Sequence, residues 1–191
     1  MVIAYSTETF SSLTRKRNNI MKLDIIGSVA SGKTTLARTI SEKYHIQFYE
    51  KDNIVWERTS EGDRKRNPQK RDQMFRQILE REDWIVEGSP RKVLLESFDL
   101  CDHIILLDVN TGVRLYRVFR RWIRQKQGKE RYNSKPTLKF LYDNILWVFE
   151  YDHQKKTLMT QLTGYGGKCR IFKNSRQVMA FIEETYGQPM D

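Results

Sequence analysis

The chain has 191 residues, of which 39% are hydrophobic and 30% are charged, and its formal net charge at pH 7 is +10. This length and composition predict one soluble globular domain with room for a core and one insertion. No apolar run approaches the roughly 18 residues of a membrane-spanning helix. Cys101 and Cys169 fit neither a disulfide framework nor a zinc-ligand spacing, and no secretory signal is evident, so a cytoplasmic protein is expected.

Residues 1–20 show no clear periodicity, are rich in Ser and Thr, and contain the basic run Arg15-Lys16-Arg17. We expect a poorly ordered N-terminal extension of no structural importance, followed by one domain over residues 21–187 that begins naturally at Met21. A transit peptide is the alternative, although Glu8 and the short length argue against it.

The apolar run at 22–27 predicts a first strand, buried in a parallel sheet. It runs into Gly27-Ser28-Val29-Ala30-Ser31-Gly32-Lys33-Thr34, which satisfies every fixed position of the phosphate-loop pattern G-x-x-x-x-G-K-[ST]. Glycines let the backbone N–H groups turn toward an anion, and the helix predicted over 34–44 presents its positive end to the same place. Lys33 is expected to bind the β- and γ-phosphates, and the Thr34 hydroxyl to ligate Mg²⁺. A Gly/Ser-rich turn with a chance lysine is the alternative, which the preceding strand and following helix disfavour.

Further along the chain, apolar runs predict strands at 46–50, 84–86, 103–109 and 168–172. A polar stretch at 57–71 predicts a loop or lid-like excursion. Helices are predicted at 72–82, near Pro90, from Asn110 or Thr111 to about 126, over 137–151 with a polar helix or loop after it, and behind a Ser175 cap. Because strand and helix alternate five times, the sequence predicts a three-layer α/β fold, a five-stranded parallel sheet with helices on both faces.

Three acids are predicted at the C-terminal ends of strands, where open α/β sheets bind ligands. Glu87 is expected to hold Mg²⁺ directly or through water, and the alternative is a helix cap. Asp52 could accept a proton from a substrate hydroxyl or bind it, or serve only structure. Asp108 could support the magnesium shell, although capping the next helix is the preferred interpretation.

Most of the positive charge lies in one segment, since residues 114–139 hold ten basic residues and one acid, Glu130. A clamp for nucleotide and transferred phosphoryl is favoured over a nucleic-acid surface, which usually spreads its charge over a face. Arg117, Arg121 and Arg124 share the face opposite the apolar stripe formed by Leu115, Val118, Phe119 and Trp122, as does Arg114. With no acid at i±4 to pair with them, they are expected to face the nucleotide rather than solvent.

Two further groups of residues are candidates for binding. Arg91, just past Glu87, could bind an acceptor phosphate in bidentate fashion. Trp56, Tyr132 and the aromatic residues of 140–149 could stack on a base, but aromatic residues at helical spacing are expected in the core.

Several segments resemble a known superfamily. The phosphate loop, Glu87-Gly88-Ser89-Pro90-Arg91 and the Asp108…Arg117…Arg121 spacing resemble the adenylate-kinase-like P-loop kinases. More narrowly, 49–56, 147–151 and 171–176 resemble the DNA topology modulation protein (FlaR-related) family. Adenylate kinases have the motif Asp-Gly-aromatic-Pro-Arg, in which this chain has Glu87 in place of Asp and Ser89 in place of the aromatic residue.

The resemblance implies an adenylate-kinase-like fold with a short lid, ATP and Mg²⁺ as cofactors, and phosphoryl transfer to a small acceptor. By position, residues 27–35, including Thr35, would cradle the triphosphate, Arg117 and Arg121 would be lid-side arginines, and the loop with Asn174 and Arg176 would lie beside adenine. The first hypothesis is therefore a small-molecule, nucleotide or nucleoside kinase, active as a monomer or homodimer. The rivals are a nucleotide-dependent DNA-binding regulator and a nucleotide-binding scaffold without turnover.

Overall fold

A parallel sheet organises the part of the chain that the computed structural model describes, which comprises residues 20–59, 62–130 and 135–188. The strands are β1 (Lys22–Gly27), β2 (Phe48–Glu50), β3 (Trp56–Thr59), β4 (Gly62–Lys65), β5 (Trp84–Gly88), β6 (His103–Leu107) and β7 (Cys169–Phe172). Five of them form the main sheet in the order β2-β5-β1-β6-β7, with every neighbouring pair parallel. The predicted five-stranded parallel sheet is confirmed.

Helices cover both faces of this sheet, as the alternating pattern predicted. They are α1 (Lys33–Tyr44), α2 (Lys51–Val55), α3 (Pro68–Leu79), α4 (Glu96–Leu100), α5 (Thr111–Lys126), α6 (Leu138–Thr163) and α7 (Ser175–Tyr186). Since neighbouring strand residues point to opposite faces, Ile25 of β1 packs in the cluster with α1 and α7, and Ile26 packs in the cluster with α3 and α4. Burying each such side chain contributes about 1.5–3 kcal/mol.

β1 lies at the switch point of the main sheet. β1 lies between β5 and β6 at the centre of the sheet. The chain continues from β1 to β2 on one side, and it later crosses to β6 and β7 on the other side. The register pairs Ile26 with Gly88 and Gly27 with Leu107, so these strands end at the same edge. Open α/β sheets bind ligands at such a switch point, beyond the carboxyl ends of the strands.

The segment 57–71, predicted to be a loop, contains secondary structure. β3 and β4 form an antiparallel hairpin in which Trp56 opposes Lys65, and α3 begins at Pro68 rather than at Asp72. The Asn67 side chain caps α3 by accepting a hydrogen bond from the Gln69 amide at 2.9 Å. The hairpin escaped prediction because β4 is exposed along its whole length and carries no apolar alternation.

Other boundaries also differ from the prediction. The helix expected near Pro90 is a 3₁₀ turn at Lys92–Leu94 followed by the short α4. α6 continues without a break to Thr163, so the segment after 151, for which a polar helix or loop was expected, is helical. Asn110 caps α5, and Asn174, not Ser175, caps α7 through the Gln177 amide.

Two burial predictions for α5 and α6 were wrong. Phe119, assigned to the buried stripe of α5, is 52% exposed, whereas Arg114, assigned to the polar face, is 2% exposed. Three of the aromatic residues expected in the core of α6 are exposed, namely Tyr142, Trp147 and Phe149, whereas Phe140 is half-buried. Tyr132 and residues 1–19 lie outside the described residues, and the predictions made for them remain predictions. Among the described helices, none is both long and apolar enough to cross a membrane.

Candidate functional site

The phosphate-loop motif forms a tight turn between β1 and α1. The Ser31 amide donates to the Ser28 carbonyl at 3.2 Å, and the Leu36 amide donates to the Gly32 carbonyl at 2.9 Å, which starts the helix. Gly32 has φ 95°, a left-handed conformation in which a side chain would be strained. A Cβ on Gly27 would lie 2.9 Å from the Leu107 carbonyl oxygen, so the close approach of β1 and β6 also requires glycine.

Lys33 and Thr34 occupy the first turn of α1, beside the end of β5. The Lys33 ammonium donates to the Ser28 carbonyl at 3.3 Å, so its charge lies against the loop. The Thr34 hydroxyl donates to Glu87 Oε1 at 2.7 Å, although 53 residues separate the two in sequence. The structure thus brings together the lysine, the hydroxyl and the strand-end carboxylate that the sequence singled out. Thr35 is exposed on the outer side of the same turn.

Glu87 is an unusual carboxyl group because it is only 3% exposed and its Oε2 atom has no hydrogen-bond partner in the described part of the protein. Burial raises the pKa of Glu87, against the opposing effects of Lys33 and of the Thr34 hydrogen bond. A carboxylate oxygen beside a hydroxyl fits the oxygen ligands that Mg²⁺ prefers. No group of three or more His, Cys, Asp or Glu residues suited to a metal occurs within the described ranges, so a cation here would take further ligands from phosphate or water.

The raised pKa of Glu87 predicts a measurable effect on stability. The unfolded chain releases the Glu87 proton at lower pH than the folded chain does. The contribution of Glu87 to the free energy of unfolding is therefore present in acid, and it is lost as pH rises above the usual glutamate pKa and through the raised pKa of the folded state. Glu87→Gln should therefore increase the free energy of unfolding at pH 8 by about 1 kcal/mol and flatten its pH dependence. Urea denaturation between pH 4.5 and 8 tests this, with the exposed Glu184→Gln as control; parallel profiles for wild type and Glu87→Gln would contradict it.

The arginines of α5 do not form one free face. Arg117 Nη1 donates to the carbonyls of Ala30 and Ser31 at 3.3 and 2.9 Å, so this side chain contacts the phosphate loop itself. Arg121 donates to Asn144 Oδ1 on α6 at 2.8 Å, and burial lowers its pKa. Arg124 pairs with Glu130 at 3.2 Å, so it has an acidic partner six residues further along the chain although no acid lies at i±4.

Asp52 and Arg91 form a second group, at the ends of β2 and β5. Arg91 Nη2 donates to Asp52 Oδ1 at 2.5 Å, and the two side chains are one third and one half exposed. Arg91 Nε is buried without a hydrogen-bond partner among the described residues. The pair therefore presents a half-exposed carboxylate and a partly exposed guanidinium at the ends of the two strands next to β1 on one side of the sheet.

A buried ion pair that the sequence analysis missed lies beneath this group. The Lys51 ammonium donates to both carboxylate oxygens of Asp24 at 2.8 and 2.6 Å, and Ser97 Oγ donates to the same carboxylate at 2.5 Å. Asp24 and Lys51 are fully buried. The stem of Lys51 crosses Gly88, where an added Cβ would lie 2.8 Å from the Lys51 Cβ. An acid inside the apolar run of β1 was the available signal.

A cleft of about 290 Å³ opens beyond β6 and β7, lined by Asp108, Val109, Asn110, Thr111, Arg114, Asp152, Lys155 and Lys173. Asp108 pairs with Lys155 and Lys173, at 2.6 and 2.5 Å. Burial alone would raise the pKa of Asp108, but these two lysines together hold it below its usual value. Asp108 caps no helix, since Asn110 caps α5. Asn174 serves as a helix cap and Arg176 is exposed, both directly after β7.

The sheet order, the phosphate loop between β1 and α1 and the helices on both faces define a three-layer α/β P-loop fold. Shikimate kinase from Bacteroides thetaiotaomicron has a similar structure, with a TM-score of 0.50 and 15% sequence identity over 86% of this chain and 97% of that one. No family model and no curated protein matches the chain. At this identity the likeness shows the fold alone.

Proposed function

We propose that the protein transfers a phosphoryl group from ATP to a small acceptor that carries a hydroxyl. The observation that supports this most strongly is the meeting of Lys33, Thr34 and Glu87 at the head of α1, with one buried oxygen of Glu87 left without a partner among the described residues. A turn that merely joined a strand to a helix would have no need to bury a carboxylate there, since an unpaired buried acid costs stability.

In this proposal the residues of the loop, from Gly27 through Val29 to Thr35, bind the triphosphate through their amides and the positive end of α1. Lys33 and Arg117 both contact the loop and would offset charge that develops on the transferred group. Arg121 would join them from α5. Thr34 and Glu87 would hold Mg²⁺, which, when bound, neutralises phosphate oxygens and aligns them for transfer. Asn174 and Arg176 would border the adenine.

The acceptor would bind between Asp52 and Arg91. Asp52 would hold the acceptor hydroxyl through a hydrogen bond and take its proton, and the partly exposed guanidinium of Arg91 would bind an anionic part of the acceptor. On binding, the acceptor would either replace the hydrogen bond between Asp52 and Arg91 or bind both side chains while they remain paired. This arrangement favours an acidic, hydroxylated metabolite.

The direct test is release of ADP from ATP and Mg²⁺ in the presence of candidate acceptors, namely nucleotides, nucleosides and hydroxylated acids. Acceptor-dependent turnover, with the phosphorylated product identified by mass spectrometry, is the expected result. Nucleotide binding without turnover on any acceptor would contradict a kinase and favour a scaffold.

Asp52→Asn should lower acceptor-dependent ADP release by about 10²-fold, the usual contribution of a positioned proton acceptor. ATP affinity should stay within twofold of wild type, because Asp52 contacts Arg91 and not the phosphate loop. The exposed Asp72→Asn serves as control. Unchanged turnover in Asp52→Asn would remove Asp52 from the proposed site while leaving the donor side intact.

The resemblance to the DNA topology modulation family raises DNA binding as the competing function. The contacts of α5 do not favour it, because Arg114, Arg117, Arg121 and Arg124 are all engaged within the protein. DNA affinity that falls steeply with salt and weakens in an Arg121→Ala/Arg124→Ala variant would support it.

A further inference from the structure

We propose that Arg114 is a positioning residue of the phosphate loop, because it holds the Ser28 hydroxyl through a hydrogen bond and links the loop to α6. This deepens the proposed function, since it concerns the site where the nucleotide would bind. Arg114 is 2% exposed, and a charged side chain is rarely buried so completely unless its donors are used. Its contacts show where they are used.

The guanidinium of Arg114 reaches three parts of the protein at once. Nη1 donates to Ser28 Oγ at 2.6 Å, Nε donates to the Val109 carbonyl at 2.8 Å, and Nη2 donates to Thr111 Oγ1 at 3.0 Å. Nη2 also pairs with the Asp152 carboxylate on α6, whose other oxygen accepts a hydrogen bond from Thr111 at 2.7 Å. Only a planar fork with donors on all three nitrogens satisfies these partners together.

Ser28 is the residue through which Arg114 would act. It is 1% exposed, and its carbonyl accepts hydrogen bonds from the Ser31 amide and from the Lys33 ammonium. The hydroxyl held by Arg114 and the carbonyl that closes the loop therefore belong to one residue. Because phosphate binding depends on the direction of successive loop N–H groups, a displacement of Ser28 would misalign the cradle.

The charges around Arg114 indicate that it would act on the phosphate loop mainly by fixing the position of Ser28, and not through its electrostatic field. Asp152 neutralises Arg114 directly, and Asp108, Lys155 and Lys173 line the cleft on its other side. The uncharged ring of Tyr151 also lies nearby, with its centroid 5.6 Å from Arg114 Cζ. Arg114→Lys keeps the charge and loses the fork, so it separates the two contributions.

The experiment measures the dissociation constant of ATP with Mg²⁺, by calorimetry well below the melting temperature, for wild type, Arg114→Lys, Ser28→Ala and the double variant. Arg114→Lys should weaken ATP binding by about tenfold. The double variant should bind no more weakly than the weaker single one, because both changes remove the same contact. Arg120→Lys, an exposed change on the same helix, should leave ATP affinity unchanged.

A role in packing α5 against α6 alone would lower the melting temperature and leave the ATP affinity of the folded protein within twofold of wild type; that result overturns the proposal, as does additivity with Ser28→Ala. Arg114→Met/Asp152→Leu, which leaves no unpaired buried charge, repeats the test if Arg114→Lys folds poorly. Amide exchange at residues 28–32 in the protein without nucleotide should accelerate in Arg114→Lys. Absence of ATP binding in wild type would overturn the proposed function, and this exchange measurement would still decide the role of Arg114.

Discussion

Lys33→Met should reduce acceptor-dependent ADP release by about 10³-fold, the loss typical of removing one donor aimed at developing charge. Lys33 begins α1, and its ammonium lies against the loop at the Ser28 carbonyl. Methionine keeps most of the stem and removes only the charge and the donors. The transferred phosphoryl would then lose the mobile cation of the loop, while the backbone amides that bind the phosphates would stay in place.

This prediction separates catalysis from binding. ATP affinity should fall far less than turnover, because only interactions that strengthen in the transition state contribute to the rate. Lys156→Met, an exposed lysine of α6, is the matched control and should keep wild-type turnover. Turnover of Lys33→Met within tenfold of wild type would contradict the proposed site, because in that site Lys33 is the mobile cation that offsets charge on the transferred phosphoryl group.

Lys51→Met should destabilise the folded protein by about 3–5 kcal/mol, because it leaves the buried carboxylate of Asp24 without its cation. Asp24 and Lys51 are both fully buried, and in the described part of the protein Ser97 is the only other side chain that forms a hydrogen bond with Asp24. The stem of Lys51 also packs on Gly88, and methionine preserves that contact. Urea denaturation at pH 7 measures the loss, with the exposed Lys70→Met as control.

Two further measurements identify the cause of this loss. Lys51→Met/Asp24→Leu should recover most of the stability, since replacing a whole buried ion pair with apolar side chains is often neutral. Burial raises the pKa of Asp24 even with Lys51 present, so stability from this group is present in acid and is lost as pH rises through its folded pKa. Without Lys51 the opposing charge is gone, and the destabilisation should be larger at pH 8 than at pH 5. An equal loss at both pH values would contradict this explanation.

The main sheet and the phosphate loop were predictable because their signals are local. The buried strands β1, β5 and β6 are short apolar runs, and the loop requires fixed residue types at fixed spacing. Because parallel strands end at one edge of a sheet, the sequence also predicted that Glu87 lies close to Thr34, without knowledge of the tertiary structure. The hairpin β3–β4 was not predictable in this way, because its side chains are mostly exposed and carry no pattern.

The sequence by itself determined the α/β class, the phosphate loop and the strand-end acids, because each follows from periodicity or from spacing within a few residues. Only the tertiary structure decided that Arg114 is buried behind Ser28, 86 residues away, and that Asp24 pairs with Lys51 and Ser97, 27 and 73 residues away. A helical wheel assigns a charged residue to solvent, and an acid in a strand has no local partner. Whether such a charge is buried depends on which distant side chains the fold brings within hydrogen-bond distance, since burial is tolerated only where the partners are in place.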